Sequence, residues 1–231
     1  PFQAEDGIRD KQICLVGSEM CIRDRVQHLK LPGSLLESGV TQTNHFFDSP
    51  ALCLHENHFV IRLREAGGIN TLTIKGERQS HDIDSEVLSS RIEEEVDISR
   101  EAADDLLHGD LSPRQAVNEH FKSGSEALLE MIQNACNNQD LVHIGQFNNV
   151  RIKLPPVSLH TEGADETVVF ELDTSTFPDH RTEYEIEVEI TAHSDATSIE
   201  AALINLFRQA GIEWQSAPSK AVRFFAALSS S

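Results

Sequence analysis

The chain has 231 residues, a length that suits one barrel or sandwich domain or two smaller domains. Acidic residues outnumber basic ones 38 to 19, which gives a formal net charge of -19 at pH 7. This charge argues against a general nucleic-acid binder, which needs a basic face, and no stretch approaches the ~20 apolar residues of a membrane span. The four cysteines form no Cys-x-x-Cys pair, which favours a reducing compartment, so we expect a cytoplasmic protein.

The first 25 residues differ from the rest of the chain. They lack a sustained apolar period of 2 or 3.6 residues and have no signal-peptide core. The pieces AEDGIRD and VGSEMCIRDR resemble translated sequencing-adapter sequence, and the alternative is a natural disordered tail. In either case we expect residues 1–25 to be a non-native or disordered tail without a stable strand, and residues 26–231 to form one domain.

The remaining residues predict strands on both sides of a helical block. Alternating apolar residues predict strands, whereas apolar residues three or four apart, preceded by a Ser cap, predict helices. In chain order the sequence predicts a helix near 29–37, a strand ending at 45–50, a hairpin of 58–65 and 71–76, a strand at 91–98, helices at 99–107, 112–121 and 125–134, strands at 147–154, 167–173 and 183–191, a helix at 198–211 and a strand at 221–228. This order indicates an α+β fold with mostly antiparallel pairing.

The predicted strands carry charged side chains at alternate positions. In the segment HFVIRLRE, Arg62 and Arg64 share one face, while Ile61 and Leu63 share the other. A single sheet with one solvated face would give the same alternation. Arg and Glu dominate here, however, where solvated strands usually carry Thr, Ser, Gln and Lys, and the helices must cover an apolar face. A closed barrel with helices outside would place the charges inside, where they must be paired or hold a ligand and metal.

The chemistry of these side chains indicates a site for a metal and a polyphosphate. The planar fork of Arg matches the oxygens of phosphate groups. Carboxylates at alternate strand positions suit Mg²⁺ or Mn²⁺. No phosphate-binding loop of the type G-x-x-x-x-G-K-[ST] and no G-x-G-x-x-G motif is present, so nothing in the sequence supports a dinucleotide fold.

Eight short motifs occur in the order in which one family carries them. They are HFFDSP (45–50), VIRLR (60–64), LTIKG (72–76), RIEEEV (91–96), VRIK (150–153), FELDTS (170–175), YEIEVE (184–189) and SAPSKAV (216–222). From about Thr41 to Leu228 the chain therefore resembles the CYTH superfamily of triphosphate tunnel metalloenzymes. FELDT, EIEVE and APSK look most like its thiamine-triphosphatase and plant inorganic-triphosphatase branch.

The resemblance implies an eight-stranded antiparallel β-barrel with helices packed outside, whose tunnel binds triphosphate and a divalent metal. The family begins with Glu-x-Glu-x-Lys on its first strand, and residues 1–44 contain no such motif. We therefore expect the first strand to be missing or replaced, which would leave an exposed edge.

The resemblance also implies a role for each charged position. Substrate would be bound by Arg62, Arg64, Lys75, Arg91, Arg151, Lys153 and Lys220. Metal would be bound by Glu93, Asp173, Glu185 and Glu187. Catalysis would depend on Glu93, Glu95, Glu185, Glu187 and Lys220. Lys153 fits the tunnel and its rim equally well.

The function implied is a triphosphatase that uses Mg²⁺ or Mn²⁺ to hydrolyse inorganic triphosphate, thiamine triphosphate or a nucleoside triphosphate. One alternative is a class IV-type adenylyl cyclase, because the family includes such enzymes. Another is a non-catalytic module that binds polyphosphate or an organic phosphate, because Glu-x-Glu-x-Lys is absent. We expect a monomer or weak homodimer with a small-molecule triphosphate partner and no nucleic-acid or membrane partner.

Overall fold

A computed structural model describes residues 12–17, 39–77, 91–121, 126–137, 139–161, 165–189, 196–209 and 218–229. The strands in these ranges are β1 (Gln12–Gly17), β2 (Val40–Asp48), β3 (Phe59–Ala66), β4 (Ile69–Glu77), β5 (Arg91–Ile98), β6 (Val142–Lys153), β7 (Val157–His160), β8 (Asp165–Thr176) and β9 (Thr182–Glu189). The helices are α1 (Cys53–Glu56), α2 (Arg100–His108), α3 (Pro113–His120), α4 (Glu126–Ala135), α5 (Ala196–Gln209) and α6 (Lys220–Leu228). None of these helices is long and apolar enough to span a membrane.

Eight strands form an antiparallel sheet in the order β1-β9-β8-β6-β2-β3-β4-β5, and the short β7 pairs with β8. Together with the helices, this sheet confirms the predicted α+β fold with eight antiparallel strands. The sheet ends at β1 and β5, and no pairing joins these two strands within the described ranges. Closure of the barrel is therefore not observed in that part of the chain.

The strand β1 contradicts the expectation that residues 1–25 form no strand. It pairs with β9, so that Cys14 lies opposite Glu187 and Val16 lies opposite Glu185. The backbone groups on this edge of β9 need partners once β8 has paired with the other edge, and the apolar residues of β1 suit a strand. The edge next to β9 is thus occupied, but the two positions opposite these glutamates carry no carboxylate.

Helices cover the apolar face of the sheet, as the alternation of the strands predicts. Side chains of β3 and β4 pack against α1 to α4, and side chains of β8 and β9 pack against α5. The first core includes Phe59, Ile61, Leu63, Leu72, Ile74, Leu106, Val117, Leu128 and Ile132. The second includes Phe170, Leu172, Ile186, Val188, Ile199, Leu203 and Phe207, with Ile152 packed against it. Burial of these side chains fixes which face each strand turns toward the helices, and therefore fixes the charged face as well.

Serine caps begin two of the covering helices. The Ser99 hydroxyl accepts a hydrogen bond from the backbone N–H of Ala102. Ser112 forms a capping box with Gln115 at the start of α3. Such caps satisfy backbone N–H groups that the first helical turn leaves unpaired.

The last element is a helix, and the prediction of a strand over 221–228 is wrong. Ser219 caps this helix by accepting a hydrogen bond from the backbone N–H of Val222. The apolar residues Ala221, Phe224 and Phe225 recur at helical spacing, so the segment buries one side as a helix.

The helix α6 also corrects the expectation that all helices pack outside. Its side chains Phe224 and Phe225 pack against Phe46 and Phe147. Phe46 lies directly opposite Arg62 in the sheet, and residues directly opposite each other project from the same face. The helix α6 therefore lies on the charged face.

Other differences concern segments that weak patterns left unassigned. The short strand β7 was not predicted, and the helix predicted near 29–37 lies outside the described residues.

Cys53 of α1 and Cys136 after α4 form a disulfide across 83 residues of sequence. Their spacing gave no sign of this pairing, because it depends on how α1 and α4 dock on the sheet.

Candidate active site

One group of charged side chains lies on β3, β4 and β5. Glu95 accepts hydrogen bonds from Arg62 at 3.2 Å and from Arg64 at 3.3 Å. The ammonium of Lys75 lies 2.7 Å from a carboxylate oxygen of Glu93. The pairing of the strands produces these contacts, because Lys75 lies directly opposite Glu93 in the sheet. We call these five residues the β3–β5 cluster.

Burial and neighbouring charges shift the pKa values within this cluster. Burial, assisted by the charge of Arg62, lowers the pKa of Lys75 from 10.5 to about 8. Burial also lowers the pKa of Arg62, and Arg64 acts in the same direction. Burial alone would raise the pKa of Glu93, but Lys75 and Arg62 outweigh it and hold this pKa at about 2. Glu93 is therefore a weak base that stays ionised.

A second group surrounds Arg151 of β6. Its guanidinium donates to Asp173 at 2.8 and 2.6 Å and to Glu187 at 2.5 Å, and it also contacts Glu171. The ammonium of Lys220, in the first turn of α6, lies 2.8 Å from Asp173 and 2.6 Å from Glu185, and it also contacts Glu187. We call these six residues the β6–β9 cluster. Two cations thus neutralise part of a buried group of four carboxylates.

Three carboxylates of the β6–β9 cluster are arranged to hold a cation. Asp173, Glu185 and Glu187 are all buried, and each offers an oxygen atom within 4.8 Å of the other two. The Oε1 atom of Glu185 has no hydrogen-bond partner among the described residues. An oxygen-only donor set of this kind fits Mg²⁺ or Mn²⁺.

The lowered pKa values of Asp173 and Glu187 indicate that both carboxyl groups are ionised at neutral pH. Burial opposes ionisation of Asp173 and Glu187, but Arg151 and Lys220 outweigh it and lower the pKa of both carboxyl groups. The same carboxylates outweigh burial at Lys220 and raise its pKa above 10.5. The carboxylates are therefore ready to bind a metal without first losing a proton.

The two clusters lie on one face of the sheet. Arg64 is opposite Asn44 of β2, and Arg151 is opposite Val40, four residues earlier on the same strand. Because side chains two and four residues apart on a strand share a face, both arginines project from the same face. Arg151 is close enough to contribute to the lowered pKa of Arg62. The charged side chains of both clusters therefore share one face of the sheet, and their convergence on one tunnel stays a prediction.

Three predicted positions stand apart from the grouped carboxylates of β8 and β9. Glu93, predicted as a metal ligand, pairs with Lys75 and is not one of the grouped carboxylates Asp173, Glu185 and Glu187. The side chain of Lys153 is 58% exposed and reaches Glu171 at 3.4 Å, so it lies at the rim. Arg91 begins β5, and its side chain lies outside the described part of the structure.

Arg223 is a site residue that the sequence did not reveal. It donates to Glu185 at 2.6 Å and to Glu183 at 2.5 Å, and it lies over the ring of Phe177. The sequence reading assigned this segment to a strand, which concealed the fact that Arg223 follows Lys220 by one helical turn. A helical reading would have placed both cations on one side of α6.

Comparison with known proteins identifies the family and the fold. The family model described as CYTH domain matches residues 22–225. A structure from Bacillus halodurans, assigned as an adenylate cyclase, is 20% identical with a TM-score of 0.63 and covers 95% of this chain and 100% of its own. A Hippeastrum structure, assigned as an adenylyl cyclase with a dominant triphosphatase activity, is 22% identical with a TM-score of 0.69 and covers 94% of this chain and 95% of its own. No curated protein matches the sequence.

Proposed function

Since the chain belongs to the CYTH domain family, we propose that it is a Mg²⁺- or Mn²⁺-dependent triphosphatase that hydrolyses a terminal phosphoanhydride. Inorganic triphosphate, thiamine triphosphate and nucleoside triphosphates are the candidate substrates. The observation that carries the proposal is the buried group of Asp173, Glu185 and Glu187, which shares a sheet face with Arg62, Arg64 and Arg151. A metal–polyphosphate complex requires carboxylates for the metal and cations for the phosphates, and both kinds of group lie on this face.

Each group of residues has its own role in this proposal. The guanidinium groups of Arg62, Arg64 and Arg151 bind and orient phosphate oxygens, since their forks match those oxygens in geometry and charge. Lys75 and Lys220 add two further cations. The three carboxylates would hold the metal, which supplies charge stabilisation at the phosphoryl oxygens and a more acidic water. Positioning and charge stabilisation account for most of phosphoryl-transfer catalysis.

The ion pairs of the free protein make the binding of metal and triphosphate interdependent. Arg151 and Lys220 both contact the carboxylates that would hold the metal. A triphosphate draws these cations toward phosphate oxygens, whereas a metal compensates the carboxylates that the cations leave. Each ligand therefore favours the rearrangement that the other needs.

Two other functions have specific observations in their favour. The Bacillus halodurans and Hippeastrum structures are assigned as adenylate or adenylyl cyclases. The dominant triphosphatase activity named for the Hippeastrum protein nevertheless agrees with hydrolysis. A binding module without turnover is favoured by β1, where Cys14 and Val16 lie opposite Glu187 and Glu185. A strand without carboxylates at these positions supplies fewer metal ligands.

Product analysis separates the three functions. The purified chain is incubated with inorganic triphosphate, thiamine triphosphate or ATP, with Mg²⁺ or Mn²⁺ and with EDTA. We expect metal-dependent release of phosphate, loss of activity in EDTA, and loss of activity in Glu187→Gln but not in Glu130→Gln, an exposed control on α4. Cyclic AMP with pyrophosphate would identify a cyclase, and metal-dependent binding without product would identify a binding module.

The substrate-binding role of the arginines has its own measurement. Arg62→Ala removes a charge-assisted donor from the β3–β5 cluster. Loss of such a contact costs about 1.5–3 kcal/mol, which corresponds to a roughly ten- to hundredfold weaker affinity for triphosphate. An unchanged dissociation constant in calorimetry would remove Arg62 from the binding site.

A further inference from the structure

Two histidines and a glutamate form a cluster on the apolar face of the sheet, away from the candidate active site. His45 of β2 lies directly opposite Leu63 of β3, whose side chain belongs to the core beneath the helices. Its ring contacts Glu65 at 2.9 Å and His143 of β6 at 3.2 Å. The side chain of His45 is buried, while His143 is exposed to solvent. The proposed triphosphatase chemistry uses none of these groups.

The hydrogen bonds of the two rings determine where their protons lie. Nε2 of His45 faces a carboxylate oxygen of Glu65, which in its ionised form only accepts, so Nε2 carries the hydrogen. The backbone of Gly145 favours the protonated form of the His143 ring, which is the effect of a carbonyl acceptor beside a ring N–H. Nε2 of His143 already faces His45, which leaves Nδ1 as the donor. In the neutral rings Nδ1 of His45 and Nε2 of His143 are then both lone-pair acceptors, and they face each other.

Two opposed lone pairs at this distance require a cation between them, either a shared proton or a metal ion. Ligating histidines usually donate their second ring N–H to a carboxylate or a backbone carbonyl, and here one ring has each kind of partner. Two Zn–N bonds of about 2.0–2.1 Å at a tetrahedral angle separate the nitrogens by about 3.3 Å. The observed separation of 3.2 Å matches this value. The exposure of His143 leaves room for water at the remaining coordination positions.

We propose that His45 and His143 bind a transition-metal ion that prefers imidazole, such as Zn²⁺ or Cu²⁺, with Glu65 as the residue that orients His45. This site differs in chemistry from the carboxylate group of the active site. Imidazole nitrogen selects Zn²⁺ and Cu²⁺, whereas Asp173, Glu185 and Glu187 offer oxygen alone.

The test is a titration of the metal-stripped full chain with Zn²⁺ alone by calorimetry, together with electron paramagnetic resonance of the Cu²⁺-loaded protein. His143→Ala is suitable because the side chain is exposed and its loss spares the core. We expect His143→Ala to lose one binding site and the nitrogen couplings of that site. His160→Ala removes an exposed histidine of β7 elsewhere and should bind as the unaltered chain does.

Glu65→Gln separates the orienting role from direct ligation. Loss of the orienting carboxylate weakens metal binding about ten- to hundredfold without changing the number of sites. Equal Zn²⁺ affinity and stoichiometry in the unaltered chain and His143→Ala would overturn the proposal, and would mean that a proton alone joins the two rings. Phosphate release with Mg²⁺ is measured in parallel and should be unchanged in His143→Ala.

Discussion

Arg223 fixes the direction in which Glu185 presents its carboxylate. Arg223 and Lys220 both contact Oε2 of Glu185, while Oε1 has no hydrogen-bond partner among the described residues. The guanidinium also holds Glu183. One helical arginine thus connects two residues of β9 and leaves the second oxygen of Glu185 for a ligand.

The first prediction concerns removal of this arginine. Arg223→Met leaves Glu183 with the exposed Arg181 and leaves Glu185 with Lys220. Breaking a buried pair typically costs about 3–5 kcal/mol, which is an upper bound here because each carboxylate keeps one cation. Urea unfolding should show this loss. The control is Arg100→Met, in which an exposed i,i+4 pair with Asp104 is broken, and its cost should be at most about 1 kcal/mol. Equal losses in the two variants would contradict a special role for Arg223.

The second prediction follows from the lowered pKa of Lys75. Phosphate binds the charged ammonium, so affinity for triphosphate should fall as pH rises above about 8, by up to about tenfold per pH unit. Lys75→Arg keeps its charge throughout this range. The ratio of the two dissociation constants, measured by calorimetry from pH 6.5 to 9.5, cancels the ionisation of triphosphate itself. A ratio that does not vary with pH would show that Lys75 does not bind phosphate.

The lowered pKa of Lys75 also makes the stability of the fold depend on pH. Between pH 8 and 10.5 the unfolded chain retains the Lys75 proton that the folded chain has lost, so stability from this group rises with pH in that interval. Glu93 acts at the other end of the scale, because its pKa is lowered from 4.5 to about 2. Its contribution is complete above pH 4.5 and is lost as pH falls through about 2.

At the scale of elements, α6 connects the stability of the fold to the candidate active site. Ser219 caps the helix, and the next residue, Lys220, contacts three carboxylates. Ser99 caps α2 in the same way, but α2 belongs to the helices that cover the apolar face. The two serines therefore form a matched pair with different surroundings.

The third prediction uses this pair. Ser219→Ala and Ser99→Ala should each destabilise the fold by about 0.5–2 kcal/mol, the usual cost of a lost cap. Only Ser219→Ala should also weaken triphosphate binding, because fraying of the first turn moves Lys220. Thermal unfolding and calorimetry of both variants provide the comparison. Similar binding by the two variants would show that the position of Lys220 does not depend on the cap.

The elements also show which features the sequence could predict. The hairpin of β3 and β4 was predictable because Arg62 and Arg64 alternate with buried Ile61 and Leu63, and a strand has only two faces. The helix α6 was misread because the run at 221–228 is short and apolar, and such runs suit either structure. The cap at Ser219 was the available sign. The pairing of β1 with β9 could not be predicted, since it depends on an edge that forms only when β8 and β9 have paired.

At the scale of the whole molecule, the candidate active site depends on contacts between distant segments. Glu93 and Asp173 were both predicted as metal ligands from their alternating motifs, which give the face of a strand but not the partner across it. The structure places Glu93 beside Lys75 and Asp173 beside Arg151. The face that carries these carboxylates was therefore predictable from the sequence, whereas the cation that each one contacts was not.

The last prediction is that metal and triphosphate bind cooperatively. The metal binds the carboxylates and the triphosphate binds the cations that are paired with each other when neither ligand is bound. Arg151 and Lys220 are shared between the carboxylates and any phosphate, so each ligand stabilises the arrangement that the other binds. Couplings of this kind typically amount to about 1–3 kcal/mol, or roughly 5- to 150-fold in affinity, and act equally in both directions. Saturating Mg²⁺ should strengthen triphosphate binding by a factor in this range. Glu187→Gln should abolish most of the effect, whereas Glu130→Gln should retain it, which also corrects for binding of Mg²⁺ to triphosphate in solution. The same enhancement in all three proteins would show that the metal acts on the ligand alone.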